Sequence, residues 1–211
     1  MLDTSGIKNI IFDLGGVILN LNFNNTAEHF KSLGIRNFDE IYSKYKQLSL
    51  FDDFEVGKIS PSDFIKKLKT FAPENCLESD IETAWNAMLL DLPKERIELL
   101  QKLKIKYRLF LLSNTNEIHY NAFMQQILES FGRPVFSEIF EKEYYSHILG
   151  KRKPHKETFE FVMNEQNLLP EETLFLDDTL HHIEGAKVVG INTKLVTKEE
   201  GILELFQIQI S

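Results

Sequence analysis

Short apolar runs alternate with amphipathic segments over most of this chain. Three runs stand out, Lys8–Phe12, Leu109–Leu112 and Leu174–Leu176. Thr193–Val196 is a further strand candidate, and Phe136–Phe140 is a shorter one. Continuous apolar runs of this length are typical of parallel strands that are buried on both faces of a sheet. The pattern therefore predicts five strands.

Amphipathic helices are predicted between these strands. They cover Pro93–Lys104, Glu117–Ser130, Pro154–Gln166 and Leu180–Val189, the last of which is closed by Gly190. Strands that alternate with helices of this length form a parallel sheet with helices on both faces. The chain is thus predicted to be an α/β protein with a five-stranded parallel sheet.

A long helical stretch interrupts this alternation after the first strand. Helical periodicity replaces the strand signals here, over Asn25–Leu33, Phe38–Phe54, Phe64–Phe71 and Asp80–Leu89. Ser60 followed by Pro61 is typical of a helix start, because serine caps the first N–H groups and proline suits the first helical position. We expect residues 20–90 to form a lobe inserted into a core made of 1–19 and 91–211.

Composition and charge narrow the function classes. The 211 residues are 43% hydrophobic, enough for a full core, and the net charge of −8 argues against binding to nucleic acid or to an anionic membrane. The single cysteine, Cys76, cannot form an internal disulfide, and neither a secretory signal nor an apolar run of about 18 residues is evident. We expect a cytoplasmic protein, a monomer or weak dimer, that binds neither nucleic acid nor a membrane.

Polar side chains follow three of the predicted strands. They are Asp13, the pair Ser113 and Asn114, and the pair Asp177 and Asp178. Because the carboxyl ends of parallel strands share one edge of a sheet, these groups are placed to converge. Lys153, which the following Pro154 should hold extended at the start of the next helix, adds a cation to this edge. Each group alone is also typical of a turn, a cap or a solvated surface, but their order and shared edge favour a site.

The chemistry that suits this set is phosphoryl transfer to a carboxylate. A carboxylate can attack phosphorus and form an aspartyl-phosphate that water later hydrolyses. Clustered carboxylates repel one another and a phosphate unless a cation lies between them, and Mg²⁺ binds carboxylate, water and phosphate oxygens. Asp13 and Asp178 are predicted to supply carboxylates, and Lys153 to contact both the nucleophile and the phosphoryl oxygens.

The remaining phosphate oxygens need donors and space. The Ser113 hydroxyl and the Asn114 backbone N–H are predicted to bind them. Gly15 and Gly16 allow the backbone after the first strand to approach the phosphate closely, because glycine has no Cβ. The predicted ligand is therefore a small phosphorylated metabolite.

Four segments, taken in order, resemble the motifs of a known family. "IIFDLGGVIL", "LLSNT", "GKRKP" and "LFLDDTLHHIEGAKVVGI" are similar to the four motifs of the haloacid dehalogenase superfamily. The helical stretch after the first motif, including "FEVGKISPSDF", is similar to the inserted cap of its first capped subclass. The combination of motifs looks most like the small sugar-phosphate phosphatases of that subclass.

This resemblance implies a Rossmann-like core, an inserted helical cap and a set of residue roles. Asp13 is implied as the nucleophile, and Asp13, Ser113 and Lys153 as the catalytic residues. Mg²⁺ is implied to bind the Asp13 carboxylate, the Gly15 carbonyl and Asp178, with Asp177 behind them or as an occasional ligand. Gly15, Gly16, Ser113, Asn114 and Lys153 are implied to bind the phosphate. The cap, by closing, would select the leaving group and exclude water.

Gly15 departs from the family pattern. Most phosphatases of the superfamily carry a second aspartate at this position as general acid and base, which contributes roughly 10² to 10⁴ in rate. A sugar 1-phosphate has a better leaving group and needs less help, so Gly15 favours such substrates. Water or a histidine could also donate the proton. The formal candidates are His29, His119, His181 and His182, although each is also typical of a surface or packing position.

Three alternatives to a phosphatase stay open at this level. A protein of weak or absent activity that binds a phosphometabolite or a protein partner is favoured by Gly15. A 2-haloacid dehalogenase uses the same aspartate, but the acidic pair Asp177 and Asp178 argues against it. A phospho-receiver domain carries similar groups, but its acidic pair follows the first strand, whereas here the pair comes last.

Overall fold

A computed structural model describes residues 2–35, 38, 40–42 and 49–206 of the protein. Its sheet contains β1 (Asn9–Phe12), β2 (Arg108–Ser113), β3 (Lys142–Tyr145), β4 (Thr173–Asp177) and β5 (Asn192–Leu195). All neighbouring strands are parallel, in the spatial order β3, β2, β1, β4, β5. The predicted five-stranded parallel sheet is confirmed.

Helices lie between and around these strands. In the segment 20–90 they are α1 (Phe23–Ser32), α2 (Leu50–Glu55), α3 (Pro61–Lys69) and α4 (Glu78–Asn86). The others are α5 (Lys94–Leu103), α6 (Glu117–Phe131), α7 (Val135–Ile139), α8 (Ser146–Leu149), α9 (Lys156–Glu165), α10 (Leu180–Val188) and α11 (Ile202–Phe206), with a 3₁₀ turn at Pro170–Glu172. None of the helices in the described part of the chain is long and apolar enough to cross a membrane.

The central strands contain continuous apolar runs because helices cover both faces of the sheet. In β1, Ile10 and Phe12 pack in one cluster of buried residues, while Ile11 packs in a second cluster on the other face. All four residues of β1 are buried. This packing explains why β1, β2 and β4 are predictable from continuous apolar runs.

The prediction of a strand at Phe136–Phe140 is wrong. Residues 135–139 form α7, and the third strand is β3, a few residues later. The apolar residues of this stretch come in two pairs separated by exposed Ser137 and Glu138, which places both pairs on one face of a helix. β3 begins with the polar residues Lys142 and Glu143, so no continuous apolar run marks it.

The prediction that Pro154 opens a helix is also wrong. The helix α9 begins at Lys156, and Lys153 and Pro154 belong to a turn in which the His155 N–H donates to the Arg152 carbonyl at 3.2 Å. Pro154 therefore lies in the turn before the helix and is not its first residue. Lys153 still lies at the predicted edge of the sheet.

The segment 20–90 packs around a hydrophobic cluster of its own. This cluster joins residues of α1 to α4, among them Phe30, Phe54, Phe64 and Trp85, and it also includes Ile118 of α6. Ser60 caps α3 as predicted, since its Oγ accepts from the Asp63 N–H at 3.1 Å. Of the predicted helix Phe38–Phe54, residues 38 and 40–42 are helical and the end belongs to α2, while residues 39 and 43–48 lie outside the described residues.

Two chain crossings connect this segment to the sheet. They run side by side, with Leu21 and Leu89 paired as an antiparallel bridge. The Asn20 N–H donates to the Asp91 carbonyl and the Leu90 N–H to the Asn20 carbonyl, both at 3.0 Å. The crossings therefore form a short two-stranded connection beside the end of β1.

Candidate active site

The carboxyl ends of β1, β2 and β4 bring the predicted polar groups to one edge of the sheet. Asp13 follows β1, and its N–H donates to the Leu176 carbonyl of β4 at 2.8 Å. Carboxylate oxygens of Asp13, Asp177 and Asp178 all lie within 4.8 Å of one another. Ser113 is buried at the end of β2. Parallel pairing is the reason that residues far apart in sequence meet here.

Lys153 lies between two of these carboxylates. Its Nζ is 2.7 Å from Asp13 Oδ1 and 2.6 Å from Asp177 Oδ2, and its side chain is fully buried. Burial alone would lower the pKa of Lys153, but the charges of Asp13 and Asp177 raise it above its usual value. The ammonium group is therefore charged, and it compensates a buried carboxylate that would otherwise be costly.

The side chain of Asn114 fixes the backbone of Lys153. Its Oδ1 accepts from the Lys153 N–H and its Nδ2 donates to the Lys153 carbonyl, both at 2.9 Å. A second link joins the neighbouring loops, because Ser146 Oγ accepts from the Thr115 N–H and donates to the Thr115 carbonyl. Neither link is predictable from the sequence, because each joins residues more than 30 positions apart with no local pattern to mark it.

The three carboxyl groups differ in how burial and neighbours act on them. Burial, together with Asp177 and Asp178, raises the pKa of Asp13 to about 7 against the opposing effect of Lys153. Burial would likewise raise the pKa of Asp177, but Lys153 and His182 hold it below its usual value. Burial and the charge of Asp177 raise the pKa of Asp178. One lysine therefore leaves this cluster with an excess of negative charge.

Such a set of oxygen donors fits a hard divalent cation. Mg²⁺ prefers one or two carboxylates together with water and phosphate oxygens, and an added cation would offset the repulsion that raises the pKa of Asp13. Asp177 has the most partners of the three, because it binds Lys153, accepts from the Thr179 N–H at 2.8 Å and contacts His182 Nδ1. Asp13 binds Lys153, and Asp178 accepts from Thr179 Oγ1, so these two carboxylates are the freer ones.

Gly16 makes room for Asp178. Its φ is +75°, and a Cβ at this position would lie only 2.1 Å from Asp178 Oδ2. Both the left-handed backbone and the close approach require glycine. Gly15 is different, because a Cβ there would lie 2.6 Å from the side-chain atom Cδ1 of Leu21. Leu21 thus occupies the space beside position 15.

The four candidate histidines occupy different environments. His29 and His181 are exposed. His119 is buried, which lowers its pKa to about 3, so it is neutral near pH 7; its ring stacks on Trp85, and Nδ1 lies 2.8 Å from Asn86 Oδ1. A neutral imidazole is not a proton donor of useful strength. His119 therefore contributes to packing between α4 and α6.

His182 contacts the carboxylate cluster directly. Its Nδ1 lies 3.0 Å and 3.1 Å from the two carboxylate oxygens of Asp177. Since Asp177 also binds Lys153, this contact orients Asp177 and lowers its pKa. The sequence suggests His182 only as a proton donor, because its contact with Asp177 depends on the geometry of the turn before α10.

The fold and this carboxylate and lysine arrangement define a class of enzyme. Residues 7–190 match the family model described as haloacid dehalogenase-like hydrolase. The chain belongs to this family of hydrolases, which confirms the resemblance drawn from its motifs and excludes the receiver-domain alternative.

Individual relatives give a more specific comparison. The chain is 32% identical over 187 residues to a D-ribitol-5-phosphate phosphatase of Bacteroides thetaiotaomicron, covering 89% of this chain and 90% of that protein. A HAD family enzyme of the same organism, solved in complex with magnesium and inorganic phosphate, is 34% identical with a TM-score of 0.85, covering 95% and 99% of the two chains. A predicted HAD-like family hydrolase from Porphyromonas gingivalis is 31% identical with a TM-score of 0.83, covering 97% and 98%.

Proposed function

We propose that this protein is a Mg²⁺-dependent phosphomonoester hydrolase that acts on a small sugar or polyol phosphate through an aspartyl-phosphate at Asp13. The observation that carries the proposal is the buried Lys153 ammonium between Asp13 and Asp177, beside Asp178 at the same edge of the sheet. Two relatives support the same chemistry. One is named as a D-ribitol-5-phosphate phosphatase, and the other was solved in complex with magnesium and inorganic phosphate.

In the proposed first step, an oxygen of Asp13 attacks phosphorus and the bond from phosphorus to the leaving oxygen breaks. The leaving oxygen takes up a proton, so the products are an alcohol and an aspartyl-phosphate at Asp13. In the second step water attacks phosphorus and gives up a proton to the solvent, the bond to Asp13 breaks, and phosphate leaves. Splitting the reaction in this way replaces one difficult displacement by two easier ones.

The other residues at this edge would bind and neutralise the phosphoryl group. Lys153 supplies a fixed positive charge, and the Ser113 hydroxyl and the Asn114 N–H supply donors. Asn114 is limited to its N–H because its side chain holds the Lys153 backbone. Gly15 and Gly16 leave the backbone accessible to the phosphate. Donors that are already oriented lower the barrier, since they need no rearrangement when charge shifts to the phosphoryl oxygens.

Mg²⁺ would be held by the carboxylates of Asp13 and Asp178 and by the Gly15 carbonyl, with Asp177 behind them. When bound, it supplies positive charge that offsets the repulsion between the carboxylates and a phosphate dianion. It would also favour the ionised form of Asp13, whose pKa is raised to about 7 without it. The nucleophile is then ionised at neutral pH.

Replacing Gly16 by alanine tests this arrangement. We expect Gly16→Ala to abolish the rise in melting temperature that Mg²⁺ produces, because the new Cβ displaces Asp178. The left-handed backbone adds a cost of about 1 kcal/mol. Gly132→Ala is the matched control, since Gly132 has φ +68° and nothing within 4 Å of a Cβ. It should show the same backbone cost of about 1 kcal/mol and keep the Mg²⁺ response. A normal Mg²⁺ response in Gly16→Ala would contradict the assignment of Asp178.

We further propose that the segment 20–90 is a cap that selects the leaving group and excludes water. It has its own hydrophobic cluster and joins the core through the paired crossings at Leu21 and Leu89. Leu21 also fills the space beside Gly15. Gly15 has no side chain to act as general acid, so the leaving oxygen obtains its proton from water or from a residue of the cap.

The absence of an acidic side chain at position 15 leads to a substrate prediction. Purified protein with Mg²⁺ should hydrolyse sugar 1-phosphates faster than sugar 6-phosphates, because the anomeric oxygen leaves with less proton transfer. The panel should include D-ribitol 5-phosphate, the substrate in the name of the relative, and p-nitrophenyl phosphate. Equal or reversed preference for 1-phosphates over 6-phosphates would refute this role of Gly15, whereas no Mg²⁺-dependent hydrolysis of any ester would favour a binding protein instead.

A further inference from the structure

Arg152, directly before Lys153, extends from the sheet edge to the cap. Its guanidinium forms an ion pair with Asp52, and its Nη2 lies 3.0 Å from Glu55 Oε2. Asp52 and Glu55 both belong to α2, about 100 positions earlier in the chain. Neither the phosphoryl chemistry nor the metal site uses this arginine. Its ion pairs instead join the core to α2 of the cap.

The backbone of Arg152 is fixed independently of these ion pairs. Its carbonyl accepts from the Thr158 Oγ1 at 2.7 Å, and Thr158 is fully buried. The next residue, Lys153, is held on both sides by Asn114. Arg152 and Lys153 are therefore neighbours with fixed backbones. The guanidinium of Arg152 contacts the cap, and the ammonium of Lys153 contacts Asp13.

The loop after α2 contacts the same part of the core. A Cβ on Gly57 would lie 2.2 Å from the His147 carbonyl, so the backbones approach closely here. On another side, the cap meets the core through the stacked rings of Trp85 and His119. The Arg152 contact differs from that stack because its side chains are 23% to 47% exposed. A half-exposed charged contact separates at a lower cost than a buried aromatic one.

We infer that Arg152 is a positioning residue, which docks α2 of the cap through Asp52 and Glu55 onto the loop that carries Lys153. When the cap closes, this contact also places α2 of the cap correctly relative to the phosphate-binding Lys153. The inference rests on the proposed function. It assigns Arg152 to binding of substrates whose leaving group needs the cap and not to the bond-breaking steps themselves.

The kinetic test compares two substrates in Arg152→Gln. For a sugar or polyol phosphate that the wild type hydrolyses, kcat/KM should fall by roughly 10-fold, mainly through KM, as expected for the loss of two partly exposed ion pairs. For p-nitrophenyl phosphate, whose activated leaving group needs little from a cap, kcat/KM should stay within about 2-fold. An equal loss on both substrates would overturn the inference, because it would mean that the Lys153 loop itself is damaged.

Two further variants separate charge from shape. Exchanging the charges, in Arg152→Asp combined with Asp52→Arg, should recover part of the loss seen in Arg152→Asp alone, and no recovery would overturn the inference. Arg108→Gln is the matched control, since Arg108 forms an exposed ion pair with Glu141 at the start of β2. It should leave both substrates unchanged. High salt should also lower the wild-type kcat/KM for the sugar or polyol phosphate toward the value of Arg152→Gln, because salt screens exposed ion pairs.

Hydrogen exchange tests the same contact without any activity. Amides of residues 50–57 should exchange faster in Arg152→Gln than in the wild type, and at the wild-type rate in Arg108→Gln. Unchanged exchange in Arg152→Gln would overturn the inference. A wild type that hydrolyses no phosphate ester, together with faster exchange in Arg152→Gln, would instead overturn the proposed function and leave the docking role of Arg152 intact.

Discussion

Asp13→Asn should reduce phosphate ester hydrolysis by at least about 10³-fold while leaving the protein folded. The amide is nearly the same size as the carboxylate but cannot form the acyl-phosphate, so the nucleophilic route is lost. The measurement is Mg²⁺-dependent release of phosphate from the best substrate of the panel. Asp3→Asn is the control, because Asp3 is an exposed carboxylate whose Oδ1 accepts from the N–H of the neighbouring Ser5.

The stability of this variant separates lost chemistry from lost structure. The pKa of Asp13 is raised from 3.8 to about 7 in the folded protein, so its ionisation disfavours the fold as pH rises from 4 through 7. Without Mg²⁺, Asp13→Asn should therefore be at least as stable as the wild type at pH 8, and any advantage should vanish near pH 4. Hydrolysis near the wild-type rate would refute Asp13 as the nucleophile.

Lys153→Met should destabilise the protein by about 3–5 kcal/mol at pH 8, because it leaves two buried carboxylates without their cation. Hydrolysis should also fall by roughly 10²-fold or more through the loss of a fixed charge at the phosphoryl group. Urea unfolding and phosphate release measure the two effects. Lys156→Met is the control, since Lys156 and Glu160 form an exposed pair on α9, and its cost should stay below about 0.5 kcal/mol.

The pH dependence of this loss has a definite sign. Lys153 normally opposes the burial that raises the pKa of Asp13, so its removal raises that pKa further. Carboxylates with a raised pKa in the folded state destabilise it above their unfolded pKa of about 4, and protonation removes the penalty. The stability difference between wild type and Lys153→Met should therefore be smaller at pH 5 than at pH 8. Equal losses at both values, or equal losses in Lys156→Met, would contradict the role of Lys153 as their counter-ion.

Three strands, β1, β2 and β4, are predicted from apolar runs because both of their faces are covered. The edge strand β5 is also predicted, although its residues are half-buried or exposed. β1, β2 and β4 lie inside the sheet, where side chains on both faces pack in hydrophobic clusters, so each contains a run of apolar residues. β3 lies at the edge and starts with Lys142 and Glu143, so its burial is partial. The apolar pairs at 135–136 and 139–140 imitate a short strand but fit one face of a helix.

The candidate site was predictable for a similar reason. Parallel strands must bring their carboxyl ends to one edge, so Asp13, Ser113 and Asp177 are placed together by topology alone. The two hydrogen bonds between the Asn114 side chain and the Lys153 backbone were not predictable, because they join residues 39 positions apart with no periodic pattern. The contact of Arg152 with Asp52 is the same kind of case.

The sequence by itself determined the class of fold, the order of the motifs and the set of groups that meet at the sheet edge. These properties follow from apolar periodicity and from the geometry of parallel sheets, both of which are written in local patterns. Only the tertiary structure decided how the charges are paired, with Lys153 buried between Asp13 and Asp177 and with His182 on Asp177. It also decided that Leu21 lies beside Gly15. Pairing depends on distances of a few ångströms between segments that are remote in the chain, and the free energy of a buried charge changes steeply over such distances.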